Sequence, residues 1–326
     1  MQPTEPPTSE PAFSPLVVAR RWALARGTFG FTLVHPQAAP LAAFAAGSHL
    51  TVQTPGGVRR NYSLCSDPAD LSAYRIAVKR DAQGRGGSIS MADDVQEGDT
   101  LLVSAPRNNF ALAPRAKAHL FIAGGIGITP IYSMMQHLRG TGGVPFKLIY
   151  CSRDAESTAF LEELQSSAYA SAVRVHHDGG NAAQVLDLWP VLERPQTGTH
   201  VYCCGPAPLM DSVADMTGHW APGTIHFERF GVPTSSFAAN QPFVAKLQRS
   251  AAQVEVSATQ TLLEALRAGG HIVPSSCESG TCGSCRTGLV AGAVEHRDMV
   301  LSPDEQASQI MVCVSRSKGG ELVLDL

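Results

Sequence analysis

The stretch CESGTCGSC, residues 277–285, brings three cysteines within nine residues, and Cys313 follows later in the chain. The other four of the eight cysteines are scattered over the first two thirds of the sequence. Gly280 and Gly283 lie inside the stretch, and glycine permits backbone angles that other residues resist, so the loop can double back. This uneven distribution predicts a separate metal-binding domain at the C-terminal end.

The cysteine spacing, C-x4-C-x2-C followed by a distant fourth cysteine, is typical of plant-type [2Fe-2S] sites. Serine and threonine residues in the loop add hydrogen-bond donors that tune such a cluster. A structural zinc site is the alternative, but zinc favours two separated close pairs of ligands, and this sequence has one such pair. The predicted cluster ligands are Cys277, Cys282, Cys285 and Cys313. The scattered cysteines are expected to be small buried side chains, with Cys204 as the exception.

The composition is typical of a globular protein that neither binds nucleic acid nor spans a membrane. A chain of 326 residues is expected to form two or three domains, and 44% hydrophobic with 16% charged residues fits globular cores. A net charge of −3 gives no basic footprint for nucleic acid. No apolar run is long enough to span a membrane, and the Pro-rich start resembles no signal peptide. We therefore expect a cytoplasmic monomer whose residues 1–14 form a flexible tail.

Three blocks follow the tail. Residues 15–114 alternate short β-like runs with turns, which predicts a small antiparallel β-barrel. Residues 115–230 alternate apolar strands with helical segments, which predicts a doubly wound α/β domain with a parallel sheet. Residues 231–241 are small, polar and end next to Pro242, so they are interpreted as a linker. Residues 242–326 contain a predicted hairpin, a helix and the cysteine loop.

Two glycine-containing turns in the second block point to a dinucleotide. GGIGITP, residues 124–130, and CCGP, residues 203–206, each end a strand and open a helix. Such turns bring the backbone close to a pyrophosphate, and the helix N-terminus offers free N–H groups. GGIGITP departs from the G-x-G-x-x-G form and by itself is equally typical of a tight connection. The pair, at one edge of one sheet, predicts a dinucleotide cleft.

Two segments of the first block have the residue types of a phosphate ligand site. RNYSL, residues 60–64, offers a cation, an aromatic ring and a hydroxyl, and GRGGSIS, residues 84–90, precedes a short helix. An ordinary edge strand and a flexible loop are the alternative interpretations, and the residues alone do not separate the two.

Taken in this order, the segments RNYSL, GRGGSIS, GGIGITP, CCGP, HFERF and CESGTCGSC resemble the phthalate dioxygenase reductase family. That family is a branch of the ferredoxin–NAD(P) reductase superfamily. The resemblance covers residues 16–326 and implies a multidomain protein: an FMN-binding β-barrel domain, an NADH-binding α/β domain and an α+β, β-grasp [2Fe-2S] domain.

The resemblance also implies roles for individual residues. Arg60, Asn61, Tyr62 and Ser63 would hold the flavin, and Gly86, Gly87 and Ser88 would bind the single phosphate of FMN. Gly125, Gly127, Thr129, Pro130, Cys204 and Gly205 would form the nicotinamide site, with Glu228 close by and Phe230 covering the flavin. Ser152 and Arg153 would lie where related enzymes choose between NADH and NADPH. Arg153 is suited to a 2′-phosphate and Asp154 would repel one, and the family favours NADH.

The implied activity is electron transfer from NADH through FMN and [2Fe-2S] to a Rieske-type oxygenase acting on an aromatic substrate. A flavin can accept two electrons from NADH and pass them one at a time to an iron–sulfur cluster. This step needs no acid–base catalytic residue, and none is assigned. The first alternative is a reductase for a vanillate or quaternary-amine oxygenase. The second is an electron carrier, a ferredoxin domain fused to an inactive nucleotide domain, against which the intact glycine segments argue.

Overall fold

The structure is a computed structural model that describes residues 12–84, 86–230, 240–275, 278–280, 283–298 and 300–326. The chain divides into two compact units, a larger unit, Pro11–Glu228, and a smaller unit that contains Arg229–Leu326. The strands of the larger unit are β1 Phe13–Ala25, β2 Thr28–Val34, β3 Ser48–Gln53, β4 Arg59–Ser63, β5 Tyr74–Lys79, β6 Thr100–Ser104, β7 Arg107–Asn108, β8 Ala118–Gly124, β9 Phe146–Ser152, β10 Val173–His177, β11 Thr199–Cys204 and β12 Ile225–Glu228. Its α-helices are α1 Gly87–Asp93, α2 Ile128–Gly140, α3 Leu161–Gln165, α4 Trp189–Leu192 and α5 Ala207–Met216.

The first sheet of the larger unit has the strand order β4-β3-β6-β1-β2-β5, with β7 paired to β3. Its pairings are antiparallel, as the short alternating runs predicted. Its core contains Phe31, Leu50 and Ile76, all fully buried. The two ends of the strand path are joined by an isolated bridge, Leu64↔Ile76, rather than by a continuous ladder. The sheet is therefore present, whereas the predicted closed barrel is not established by these pairings.

The second sheet of the larger unit is parallel, with the order β10-β9-β8-β11-β12. The chain starts in the middle with β8, moves outward through β9 to β10, and returns to the other side with β11. That reversal of direction creates a switch point between β8 and β11, where open α/β sheets bind ligands. Helix α2 covers one face of this sheet, and its Ile128, Ile131 and Met134 are fully buried there. Helix α3, which follows β9, is short and spans only Leu161–Gln165.

The smaller unit has strands β13 Phe243–Leu247, β14 Ala252–Val256, β15 Arg286–Ala291, β16 Val294–Glu295, β17 Gln309–Met311, β18 Arg316–Ser317 and β19 Leu322–Leu324. Its helices are α6 Leu262–Ala268 and α7 Pro303–Gln306. The main sheet has the order β14-β13-β19-β15-β17 and includes the predicted β13–β14 hairpin. Helix α6 begins with a capping box between Thr261 and Glu264 and buries Leu262 and Leu266 in the core.

Arg316 organises the polar interior of the smaller unit. Its side chain is 3% exposed and donates hydrogen bonds to the carbonyls of Gln260, Ser257 and Gln241. The guanidinium also lies 5.0 Å from the ring centroid of Phe243. A buried cation needs such partners, because its desolvation is costly unless its donors are satisfied. Arg316 therefore ties the start of β13 to the rest of the unit.

In the described part of the chain, none of the helices has the length and hydrophobicity that crossing a membrane requires. Residues 231–239, most of the predicted linker, lie outside the described residues.

Candidate functional site

The two predicted glycine turns are in direct contact. Strands β8 and β11 are parallel neighbours with Ala123 opposite Cys204, so their carboxyl ends lie side by side. A Cβ atom on Gly127 would be 2.2 Å from the carbonyl oxygen of Cys204, and one on Gly205 would be 3.0 Å from the Cα of Gly124. These separations leave no room for a side chain. Glycine is required here because two backbones approach each other, as in a dinucleotide-binding cleft.

The first turn is held in place by hydrogen bonds from two side chains, one on the neighbouring strand β9 and one in the turn itself. Gly125 has φ +51°, a left-handed conformation that favours glycine, and its carbonyl accepts a hydrogen bond of 3.0 Å from the Tyr150 hydroxyl. The Thr129 hydroxyl donates to the carbonyl of Ile126 at 3.0 Å and is buried. Pro130 lies in the first turn of α2, where no intrahelical partner for an N–H is needed. Free backbone N–H groups at a helix N-terminus of this kind can bind a phosphate.

The β4 residues predicted to hold a flavin lie on one strand of the first sheet. The Tyr62 hydroxyl is buried and makes no hydrogen bond to the described residues, and burial raises the pKa of Tyr62. A buried donor without a partner fits a bound ligand that supplies one. Asn61 accepts a 2.8 Å hydrogen bond from Thr51, so part of its hydrogen-bonding capacity holds the β3–β4 pairing.

Helix α1 brings its glycines to the same strand. Gly86 precedes α1 with φ +85°, and a Cβ atom on Gly87 would lie 2.7 Å from Cγ of Arg60. The Ser88 hydroxyl accepts a 3.1 Å hydrogen bond from the backbone N–H of Asp81. Arg60, Gly86, Gly87 and Ser88 are therefore grouped by the fold, which suits a single phosphate between a guanidinium and backbone N–H groups. Arg85, within the predicted phosphate segment, lies outside the described residues.

Ser63 links this flavin-side strand to the nucleotide sheet. Its hydroxyl donates a 3.2 Å hydrogen bond to Glu228, at the carboxyl end of β12. Glu228 is 8% exposed and lies opposite Cys204 in the β11–β12 pairing. Burial, with the negative charge of Glu228, raises the pKa of the Cys204 thiol well above its usual range, which keeps the thiol neutral. Cys204, Glu228 and Ser63 therefore form one buried group of side chains.

The end of β9 carries the predicted selectivity residues. Ser152 is buried, and its hydroxyl lies 2.7 Å from that of Thr158. This hydrogen bond stabilises the loop that follows β9. Arg153 is exposed and lies across Gly180, where a Cβ atom would be 3.1 Å from its Nε. Of the two predicted residues, Arg153 is exposed to solvent and Ser152 is buried. Phe230 belongs to the smaller unit and its side chain is 42% exposed.

The described half of the cysteine set is buried in the smaller unit. Cys285 and Cys313 are 2% and 1% exposed, and Cys277 and Cys282 lie outside the described residues. Gly280 and Gly283 have φ of +77° and +81°, as a loop that doubles back requires. A Cβ atom on Gly280 would be 2.8 Å from Val314, so the loop packs against the residue that follows Cys313. Two buried cysteines, one of them directly after a loop that doubles back, are consistent with the thiolate donor set of an iron–sulfur cluster.

Tyr150 and Thr158 support the site and are not identified by the sequence analysis. Tyr150 lies within an apolar strand, FKLIYCS, where a tyrosine is an ordinary core residue. Its hydroxyl becomes informative only when β9 is placed beside the turn at Gly125. No local pattern in the sequence signals that contact.

Comparison with known proteins identifies the family of the chain. Residues 245–318 match the 2Fe-2S iron-sulfur cluster binding domain, and residues 102–221 match the N-terminal domain of the dimethylamine monooxygenase subunit DmmA-like family. The chain is 57% identical to the phthalate 4,5-dioxygenase oxygenase reductase subunit of Pseudomonas putida, over 96% of this chain and 97% of that protein. It is 53% identical to the phthalate dioxygenase reductase of Burkholderia cepacia, over 97% of this chain and 98% of that protein.

A solved structure has the same arrangement of elements. The structure of a phthalate dioxygenase reductase, described as modular for electron transfer from pyridine nucleotides to [2Fe-2S], matches with a TM-score of 0.83 and 53% sequence identity. The match covers 96% of this chain and 98% of that one. The likeness therefore extends over the whole chain and is not limited to the cysteine loop.

Proposed function

Because this chain belongs to the phthalate dioxygenase reductase family, we propose that it is an NADH-dependent reductase that supplies electrons to an oxygenase. NADH gives up a hydride, which is one proton and two electrons transferred together. The oxygenase has to receive these two electrons one at a time. FMN supplies that conversion when bound, because a flavin exchanges both pairs and single electrons. Cys277, Cys282, Cys285 and Cys313 would hold a [2Fe-2S] cluster, which would supply one-electron transfer to the oxygenase, and the proton of the hydride would be released to solvent.

The contact between the two glycine turns is the observation that supports this proposal most directly. The cleft lies at the switch point between β8 and β11, where the backbone N–H groups of the α2 turn can hold the pyrophosphate. Cys204 and Glu228 line the sheet edge beside Ser63 of the flavin-side strand. A nicotinamide bound there would meet a flavin held by Arg60, Tyr62 and Ser63. The neutral thiol and the buried carboxylate would exclude water from the contact between the two rings.

We assign the domains accordingly. Residues 15–114 would form the FMN-binding domain, a β-barrel whose two end strands approach each other at the bridge between Leu64 and Ile76, and Arg60 with the α1 glycines would bind the phosphate of FMN. Residues 115–230 form the NADH-binding domain, and residues 242–326 form a β-grasp ferredoxin domain after a linker. Cys277, Cys282, Cys285 and Cys313 would ligate the cluster. The acceptor would be a Rieske-type oxygenase, and the reductase itself would be a monomer.

Flavin release and steady-state kinetics test the proposal. Acid treatment of the purified protein followed by chromatography should give FMN, because Arg60 and the glycines before α1 are suited to a single phosphate. NADH oxidation should be stimulated by one member of a panel of purified oxygenases, including phthalate, vanillate and quaternary-amine enzymes. Near-stoichiometric FAD would contradict the cofactor assignment. The absence of NADH oxidation with any acceptor, including small dyes, would contradict the activity.

A further inference from the structure

Arg26 connects the first sheet to the loop that follows β9. It lies directly after β1, in the turn before β2, and is therefore remote in sequence from that loop. Its guanidinium pairs with Asp154 and, at 2.7 Å, with Glu156. Its backbone N–H donates a 2.7 Å hydrogen bond to the carbonyl of Glu156. One residue of the flavin-side hairpin thus holds this loop by both main chain and side chain.

The loop after β9 occupies the position that reads the adenosine ribose in nucleotide-binding sheets. A carboxylate near the end of the second strand hydrogen-bonds the ribose 2′-hydroxyl, whereas an arginine there accommodates a 2′-phosphate. This chain has both residues in succession, Arg153 and Asp154. Arg153 is exposed and makes no ion pair with any described carboxylate. The balance between the two residues should therefore determine which dinucleotide binds.

Arg26 alters that balance. The hydrogen bonds from Ser157, together with Arg26, lower the pKa of Asp154, so its carboxylate is ionised at neutral pH. One oxygen accepts from the Ser157 backbone N–H at 2.9 Å, and the other pairs with Arg26. Arg26 and the loop together therefore contribute two arginines and two carboxylates, and their formal charges cancel. The carboxylate is fixed in orientation, but its repulsion of a 2′-phosphate is partly offset by Arg26.

We propose that Arg26 is a specificity-determining residue for the nicotinamide dinucleotide and acts by holding and neutralising Asp154. This inference rests on the proposed function, because it concerns the donor of that reaction. Removing the cation leaves two carboxylates against Arg153, which should strengthen the rejection of NADPH. Removing the charge of Asp154 leaves two arginines against Glu156, which should favour NADPH.

The test compares Arg26→Gln, Asp154→Asn and the control Glu156→Gln in the full chain with its flavin. The readout is the ratio of kcat/KM for NADPH to that for NADH. The ratio should fall roughly tenfold in Arg26→Gln and rise roughly tenfold in Asp154→Asn, the size expected for one unit charge near a phosphate at a partly exposed site. Glu156→Gln makes the same charge change at a more exposed side chain and should shift the ratio less than half as far on a logarithmic scale. All shifts should shrink as ionic strength rises.

A binding measurement separates this inference from the proposed activity. Calorimetric affinities for ADP and for adenosine 2′,5′-bisphosphate should show the same changes in ratio without any turnover. If Arg26→Gln and Asp154→Asn weaken both adenosine ligands equally, Arg26 is only a structural clamp and the inference is wrong. It is equally wrong if the ratio moves in the same direction in both variants. If wild-type protein fails to oxidise NADH while the binding ratios change as expected, the inference stands and the proposed function fails.

Discussion

The cysteine loop of the smaller unit and the glycine turns of the parallel sheet are both built to bring a group close to the backbone, but they do so differently. In the loop, cysteine side chains would provide the binding atoms, and the positive φ angles of Gly280 and Gly283 let the chain double back. In the turns, the backbone provides the binding atoms, and the glycines are needed because a Cβ atom would collide with the neighbouring strand. Replacing a side chain in the first kind of site removes a binding atom. Replacing a glycine in the second kind introduces a side chain that pushes the two backbones apart.

The largest effect is expected from Cys282→Ser. This change removes one of four proposed thiolate ligands, so the visible [2Fe-2S] spectrum should disappear and electron delivery to a one-electron protein acceptor should be abolished. Reduction of FMN by NADH, and of small dyes, should be largely kept, because those steps use the other unit. The measurements are the absorbance spectrum and the two rates.

Cys151→Ser is the matched control for that experiment. Cys151 is half-buried and lies on β9, away from the predicted ligand set, so its replacement should leave the cluster spectrum unchanged. Equal losses of dye reduction and of electron delivery in Cys282→Ser would show that the two sites do not fail independently.

A smaller but still large effect is expected from Gly127→Ala. The added methyl group would lie 2.2 Å from the Cys204 carbonyl oxygen, so the two turns must move apart. Crowding of this kind costs about 1–3 kcal/mol of unfolding free energy. The displaced turn should also raise the KM for NADH about tenfold or more, since misplaced binding groups lose much of their effect. The cluster spectrum should be unaffected.

Gly218→Ala is the control for the glycine prediction. Gly218 is exposed, and a Cβ atom there would have its nearest neighbour at 3.9 Å. This variant should keep both its thermal stability and its KM for NADH. If Gly127→Ala behaves like Gly218→Ala, the turns are not in the tight contact described above.

The smallest effect concerns where the ferredoxin unit begins. The sequence predicts a start at Pro242, but the structure has Asn240 8% exposed, with its side chain bonded to Arg297 and to the carbonyl of Ala258. The carbonyl of Gln241 accepts from buried Arg316. A fragment from Asn240 should therefore be more stable to denaturant than one from Pro242, by about 1–3 kcal/mol, because the shorter fragment leaves buried donors unsatisfied.

Asn240→Ala in the longer fragment distinguishes side-chain contacts from chain length. It should give an intermediate stability, since the Gln241 carbonyl is still present. Both fragments should assemble a cluster, and a separate piece ending near Gly231 should bind FMN and be reduced by NADH. Equal stability of the two fragments would place the boundary at Pro242, whereas insolubility of both would show that the units do not fold separately.

Local patterns account for what could be predicted from the sequence. Cysteine spacing and glycine-containing strand ends are short-range features, and each one imposes a conformation on its own segment. The strand and helix periods likewise separate an antiparallel sheet from a parallel one, since they depend only on which side chains face the core. The tight turns at GGIGITP and CCGP and the doubling back of CESGTCGSC could therefore be predicted from the sequence. Whether the first sheet closes into the predicted barrel is not such a local feature, because it depends on how the two ends of the sheet meet.

Contacts between distant segments were decided only by the tertiary structure. Ser63 and Glu228 are 165 residues apart, and Arg26 and Asp154 are 128 residues apart, yet each pair is in hydrogen-bond contact. Nothing near Arg26 distinguishes it from any exposed arginine in a hairpin turn. Its effect on Asp154 exists only because the fold packs the β1–β2 turn against the loop after β9. The sequence thus determined which groups each segment presents, and the packing of separate sheets determined which of those groups meet.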